Sequence, residues 1–310
     1  MFPMRRPQQL PPNLQDRAFT RADLRSLELS EERVRRRDVR RLTQGLYTAV
    51  SEQGSLSDAL ELARTLPECW VSHATAARLY GWDLPRRLGE RESIHLTQPR
   101  GSNRRIRRLE VISHRQAADA EDQWMIAGAR VASPARTWLD LAGELGEVEL
   151  ICFGDHLVRH PYPRFEARRE PYTTIRELHV TLARANGVPG RRRALEAVRH
   201  VRVGADSAAE TRLRLSLVRA GLPEPSLQVP VHPGDLRARC ADLGYPDLKI
   251  AIQYEGATHF TAEQAMADQR RDNVFLAAGW IVLRFNARDH AEGFASAVRQ
   301  VRGVIARRRG

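Results

Sequence analysis

Residues 241–260 read ADLGYPDLKIAIQYEGATHF, and the fold of the last third of the chain turns on this stretch. RCADLGYP, residues 239–246, reads as a strand ending in a Gly-containing turn. LKIAIQYEG follows as a second strand. Its period of two puts Ile250, Ile252 and Tyr254 on one face, and Lys249, Ala251, Gln253 and Glu255 on the other. A tight turn makes the two strands neighbours. Adjacent strands lie ~4.8 Å apart and positions i and i+2 roughly 6.6 Å apart, so Asp242, Gln253 and Glu255 can converge on one small ion.

Working outward, SAAETRLRLSLVRAG predicts a helix from Ser207, with Leu213, Leu217 and Ala220 on one face and Gly221 as its stop. SLQVPV predicts a strand. TAEQAMADQRRDNVFLAAG predicts a helix capped by Thr261, with Gln264 three residues on, and closed by Gly279. WIVLRF predicts a buried strand. The order is α-β-β-β-α-β.

Phosphodiester hydrolysis needs an activated water and a counter-charge for crowded oxyanions. Mg²⁺ or Mn²⁺, held by carboxylates and otherwise by water and phosphate, supplies both. Asp242 interrupts an apolar strand, which is costly without a partner. Glu255-Gly256 also fits turn chemistry. Glu210 completes Ser207-x-x-Glu210, a capping box, which by itself accounts for it. His259 suits a general acid or base, a phosphate contact, or plain helix entry. Arg270, Arg271 and Arg284 suit phosphate contact or solvation.

SAAETRLRLSLVRAGLPEP, ADLGYPDLKIAIQYEGATHF and DQRRDNVFLAAGWIVLRF together resemble the PD-(D/E)XK nuclease superfamily, in its branch related to the very-short-patch repair (Vsr) endonucleases. The resemblance implies a restriction-endonuclease-like αβββαβ core over residues 205–310. It also implies catalytic roles for Asp242, Gln253, Glu255, Glu210 and His259, with the first three as metal ligands. Gln253 stands where the superfamily usually has Asp or Glu, and Glu255 where many members carry lysine. Lys249 lies four strand positions from Gln253, roughly 13 Å, too far to substitute. Such a site is slow, Mn²⁺-dependent or dead.

The first two-thirds read differently. Residues 1–15 are Pro- and Gln-rich, a disordered tail by composition. Over 16–50, Thr20 with Asp23 starts one short helix, and Ser30-Glu31-Glu32 starts a second. A turn at Gly45 and a β-rich wing follow. This predicts a winged helix-turn-helix, with several of Arg33, Arg36, Arg37, Arg40 and Arg41 sharing one helix face for DNA contact or solvation. Residues 51–160 predict an α+β domain. SHATAARLYG is a helix after Ser72, ESIHLTQ and RLEVISHR are strands flanking a basic hairpin tip with Arg104 and Arg105, and SPARTWLDLA is a helix. His73, His95 and His114 are far apart in sequence and read as structural residues rather than ligands. The GLYTA wing, SHATAARLYG, the basic loop and SPARTWLDLA resemble the AbiEi-type antitoxin family, in which the winged helix binds operator DNA. That implies a possible cognate toxin as partner. Residues 161–204 read as a helical connector.

Composition bounds the rest. The chain has 310 residues, 42% hydrophobic and 28% charged, enough for two or three ordinary cores. The expected class is α/β, α+β overall. A net charge of +12 favours a polyanionic partner such as DNA. Lys249 is the lone lysine; arginine bias from a GC-rich genome accounts for the rest. Three widely spaced cysteines predict no disulfide framework or zinc knuckle. No apolar run is long enough for a membrane span and the N-terminus lacks a signal-peptide core, so a cytoplasmic location is expected. Two readings stand: a metal-dependent DNA endonuclease, or an antitoxin-type DNA-binding regulator with an inactive nuclease-like domain. A third is a protein–protein module in phage defence.

Overall fold

A computed structural model describes residues 10–15, 17–43, 45–50, 54–66, 68–89, 93–102, 106, 110–117, 119–163, 165–232, 234, 240–256 and 262–310, without the side chains of 43, 54, 55, 262–268 and 271. The chain is a mixed α+β protein. It divides into two compact units: Met1–Leu141 with Arg184–Pro189, and Ala142–Ala183 with Gly190–Gly310. The segments expected as winged helix and α+β domain share the first unit, and most of the connector belongs to the second.

The first unit opens with a three-stranded antiparallel sheet of β1 (Phe19–Thr20), β2 (Val39–Thr43) and β3 (Leu46–Ala49), in the order β1-β3-β2. The helix Arg21–Ser26 starts at Thr20, whose hydroxyl and backbone N–H exchange hydrogen bonds with Asp23, the expected capping box. The second expected helix is corrected. Ser30 does cap it, but it is a five-residue 3-10 turn, Glu31–Arg35. Beyond it the backbone bends at Arg36 and enters β2, because pairing with β3 satisfies Val39 to Thr43 and buries Val39 and Leu42. The five arginines therefore do not share a helix face. Arg33 lies in the 3-10 turn, Arg36 and Arg37 in the bend, and Arg40 and Arg41 on β2.

The second sheet of this unit has five strands: β4 (Trp70–Val71), β5 (Ile94–Pro99), β6 (Val111–Gln116), β7 (Gln123–Ile126) and β8 (Ala129–Ala132), in the order β6-β5-β4-β8-β7. β5 and β6 run parallel, Ile94 opposite Val111, so the expected hairpin is corrected. A parallel pair cannot be joined by a tight turn, so β5 and β6 are not the two arms of a hairpin. Arg104 and Arg105 lie outside the described residues. Leu62, Trp70, Val71, Leu96 and Val131 fill the core.

In the second unit, β9 (Ser226–Pro230), β10 (Cys240–Tyr245), β11 (Ile250–Glu255) and β12 (Ile281–Asn286) form one sheet, in the order β12-β11-β10-β9. The first three strands pair antiparallel; β11 and β12 pair parallel, and the helix Ala262–Ala277 makes the crossover that this requires. With the helix Ala208–Arg219 in front, the expected α-β-β-β-α-β order of elements is present. Two cores line the sheet. Leu213, Leu217, Leu243, Ile250, Ile252 and Phe285 pack with the C-terminal helix Ala295–Arg309 on one side. Val229, Ala241, Ala251, Phe275 and Trp280 pack on the other. Gly244 is required where β10 meets β11, because a Cβ there would sit 2.5 Å from the Ile250 carbonyl oxygen. Lys249 is not on the strand face. It closes the turn in the left-handed region at φ +51°, and its Nζ donates to the Ala278 carbonyl at 3.1 Å.

Candidate functional site

Asp242 and Gln253 lie one residue beyond the last paired couple of β10 and β11, Leu243 opposite Ile252. Across the parallel ladder, Gln253 sits opposite Arg284 of β12. Three polar residues on three neighbouring strands thus meet at one end of the sheet. Gln253 is fully buried. With its amide nitrogen toward Asp242, it donates to both carboxylate oxygens, at 3.2 Å to Oδ1 and 3.3 Å to Oδ2. With the amide turned over, three oxygens face one another instead. Asp242 Oδ2 also accepts from the Tyr254 backbone N–H at 2.7 Å. That bond pins the carboxylate that the sequence marked as costly to bury.

Glu210 approaches from the first turn of the helix Ala208–Arg219. The capping box is present: Ser207 Oγ accepts from the Glu210 N–H at 3.2 Å, and the Glu210 carboxylate accepts from Ser207 Oγ at 2.8 Å and the Asp206 N–H at 2.9 Å. The second role read for Glu210 has electrostatic support. Burial, and next the charge of Asp242, push its carboxyl up to about 7. The two acids therefore feel each other across the gap between helix and sheet.

The helix that carries Glu210 is held by a buried ionic network. Arg214, 1% exposed, donates to Asp155 at 2.9 Å, to Glu224 at 2.7 Å and to the His200 carbonyl at 2.8 Å; Thr211 Oγ1 donates to Asp155 at 2.8 Å. Such a network fixes the helix's position relative to Glu147–Val158, which carries Asp155.

Glu255 is placed differently from the reading that joined it to Asp242 and Gln253. Its carboxylate pairs with the Arg284 guanidinium, whose Nε donates to Asp272 Oδ2 at 2.5 Å. Arg284 is thus a bridge between two acids, and burial lowers its pKa while Asp242 opposes that shift. Asp272, on the helix Ala262–Ala277, was not singled out from the sequence. Its signal was its position one turn from the helix end, beneath the strand that helix leads into. Arg270 is exposed. His259 and the Arg271 side chain lie outside the described residues.

The N-terminal arginines divide by burial. Arg33, 7% exposed, forks onto both carboxylate oxygens of Asp38, with Nη1 to Oδ1 at 2.7 Å. Arg40 pairs with the buried Asp58. Arg36, Arg37 and Arg41 are exposed. Only part of the expected basic surface is therefore presented to solvent.

No helix among the described residues is long and apolar enough to cross a membrane. No family model matches the chain. It is similar to proteins of Mycobacterium tuberculosis from strain CDC 1551 / Oshkosh and from strain ATCC 25618 / H37Rv, each described as uncharacterised. Both are 26% identical over 210 residues, which is 67% of this chain and 71% of the relative.

Proposed function

We propose that the chain is a metal-dependent DNA endonuclease whose second unit hydrolyses phosphodiesters and whose first unit binds the duplex. The observation that carries this reading is the coupling of Glu210 to Asp242, beside a buried amide that can present its oxygen to the same gap. Two carboxylates brought together under partial burial, one of them pushed to about 7, form a place where positive charge is favoured. The donors are all oxygens, which suits Mg²⁺ or Mn²⁺ and not a thiophilic ion. The donor set therefore fits the ion implied by the PD-(D/E)XK resemblance.

Asp242, Gln253 and Glu210 would hold the ion, with Glu255 joining if its pairing to Arg284 opens. The ion supplies charge for the phosphate oxygens and lowers the pKa of a bound water. Asp242 is held in place by the Tyr254 N–H. Glu210, pushed up to about 7 by burial and by the charge of Asp242, would give up its proton as the cation binds and so join Asp242 as a ligand. Arg284 offers a guanidinium to the phosphate, in place of the lysine that the motif usually carries. Exposed Arg36, Arg37 and Arg41 supply phosphate contacts in the first unit.

The Arg284–Glu255 ion pair favours a second reading, because an acid already neutralised is a poor ligand. In that reading the chain is an antitoxin-type DNA-binding regulator with a silent nuclease-like domain. One experiment separates the two. Supercoiled plasmid is incubated with the full chain in EDTA, Mg²⁺ or Mn²⁺, beside Asp242→Asn. Metal-dependent nicking that vanishes in D242N supports the endonuclease. Salt-sensitive DNA binding without nicking in any metal replaces it with the regulator.

A further inference from the structure

We infer that His73, His95 and His114 form a second metal site, in the first unit, that takes Zn²⁺ or a similar divalent transition ion. Each ring offers one nitrogen, and the three nitrogens lie within 4.8 Å of one another. His95 Nδ1 and His114 Nε2 are 3.0 Å apart. A tetrahedral Zn²⁺ with Zn–N bonds of roughly 2.0–2.1 Å holds its ligand nitrogens about 3.3 Å apart, close to the His95–His114 separation, and the His73 ring, stacked on His114, has to turn out of that stack to join them.

The fold delivers these rings from three elements. His95 and His114 stand on the parallel neighbours β5 and β6, and His73 begins the helix His73–Leu79. His73 has φ +51°, in the left-handed region that favours glycine. Strained backbone of this kind clusters at functional sites. Its ring stacks on that of His114, with centroids 3.6 Å apart. His73 and His95 are each 4% exposed, whereas His114 is half-buried, so the cluster opens to solvent on one side.

The surroundings orient the rings as ligands. Ser72 stands at the N-cap of the helix but makes no side-chain cap bond. Its hydroxyl lies 2.9 Å from His73 Nδ1 and accepts from Thr97 Oγ1 at 2.6 Å. Asp140 Oδ2, fully buried, lies 3.9 Å from the same His73 Nδ1. At that distance the carboxylate acts on the ring as a charge, and the hydrogen-bond partner of Nδ1 is the Ser72 hydroxyl. Metal-binding histidines are commonly oriented by a polar partner behind the ring in this way. Arg136 Nε holds the other oxygen of Asp140 at 2.7 Å and so fixes its direction. Three imidazoles with one open side leave a fourth position for water.

The site is independent of the acidic cluster in the second unit. Full-length protein, stripped with chelator, is titrated with Zn²⁺ and, separately, with Co²⁺ as a visible probe. The expected result is one Zn²⁺ per chain and the d–d bands of tetrahedral Co²⁺. Affinity should fall ~100-fold or more in H114A and H95A, and stay unchanged in H179A, which alters an exposed histidine. Absence of Zn²⁺ uptake, absence of tetrahedral Co²⁺ bands, or a drop below tenfold in both ligand variants overturns the proposal. If the variants fail to fold, the Co²⁺ spectrum of the unaltered protein decides.

Discussion

Asp242 and Tyr254 are joined across the β10–β11 ladder, the carboxylate Oδ2 accepting the backbone N–H at 2.7 Å. One acid therefore serves as both a lock between strands and the fixed charge of the site. Asp242→Asn keeps an acceptor for that N–H and removes the charge. It is expected to fold normally and to abolish metal-dependent plasmid nicking. Asp242→Ala leaves the N–H without a partner and should lose about 1–3 kcal/mol of stability in urea unfolding as well.

Glu210 gives the second unit a pH dependence whose sign is fixed. Its folded pKa, about 7, lies above its ordinary value of 4.5. The folded state therefore disfavours the carboxylate. Stability from this group is greatest below about 4.5, and falls as pH rises through about 7, by roughly 3 kcal/mol at the limit. Glu210→Gln preserves the capping geometry without the charge. It should be more stable than the native chain at pH 8 and nearly equal to it at pH 4.5. Hydrogen exchange of the helix Ala208–Arg219 at the two pH values measures this.

Arg284 separates Glu255 from Asp272, with the guanidinium bound to both. Arg284→Met leaves the two carboxylates partly buried without their cation and should cost about 1–3 kcal/mol. Adding Glu255→Gln should recover part of that deficit. A double-mutant cycle by urea unfolding checks it, with additivity the outcome that would contradict the bridge.

The buried network under the site predicts a larger effect. Arg214→Met strands Asp155, itself 1% exposed, and should destabilise the second unit by ~3–5 kcal/mol. Arg214→Met with Asp155→Leu should regain much of this stability. Thermal unfolding followed by circular dichroism distinguishes the two.

In the first unit, burial sorts the arginines into two kinds of effect. Arg33→Ala breaks the fork onto Asp38 and should lower stability. Arg36→Ala with Arg37→Ala should leave stability unchanged and weaken DNA binding. The slope of log affinity against log salt should become shallower by about 0.9 for each phosphate that is no longer neutralised. Fluorescence anisotropy with a labelled duplex at several salt concentrations measures both.

The sequence by itself determined the local units of the second half. Ser207 with Glu210, Gly221 and Gly279 mark helix ends through caps and positive-φ turns, which depend on near neighbours only. Alternation over Ile250–Glu255 fixed which residues share a face, and the short turn brought Asp242 beside Gln253. Tertiary structure decided what short-range signals do not encode. Pairing with β3 drew Arg40 and Arg41 into a strand where their spacing suggested a helix. A parallel crossover brought His114 to His95 from 19 residues away in sequence, although neither has a patterned partner nearby. Arg284 reached Glu255 and Asp272 because β12 lies beside β11, the choice of neighbour being set by the helix packed over them. Propensity and capping act within a few residues, whereas ion pairs and ligand clusters depend on which distant segments the buried cores hold together.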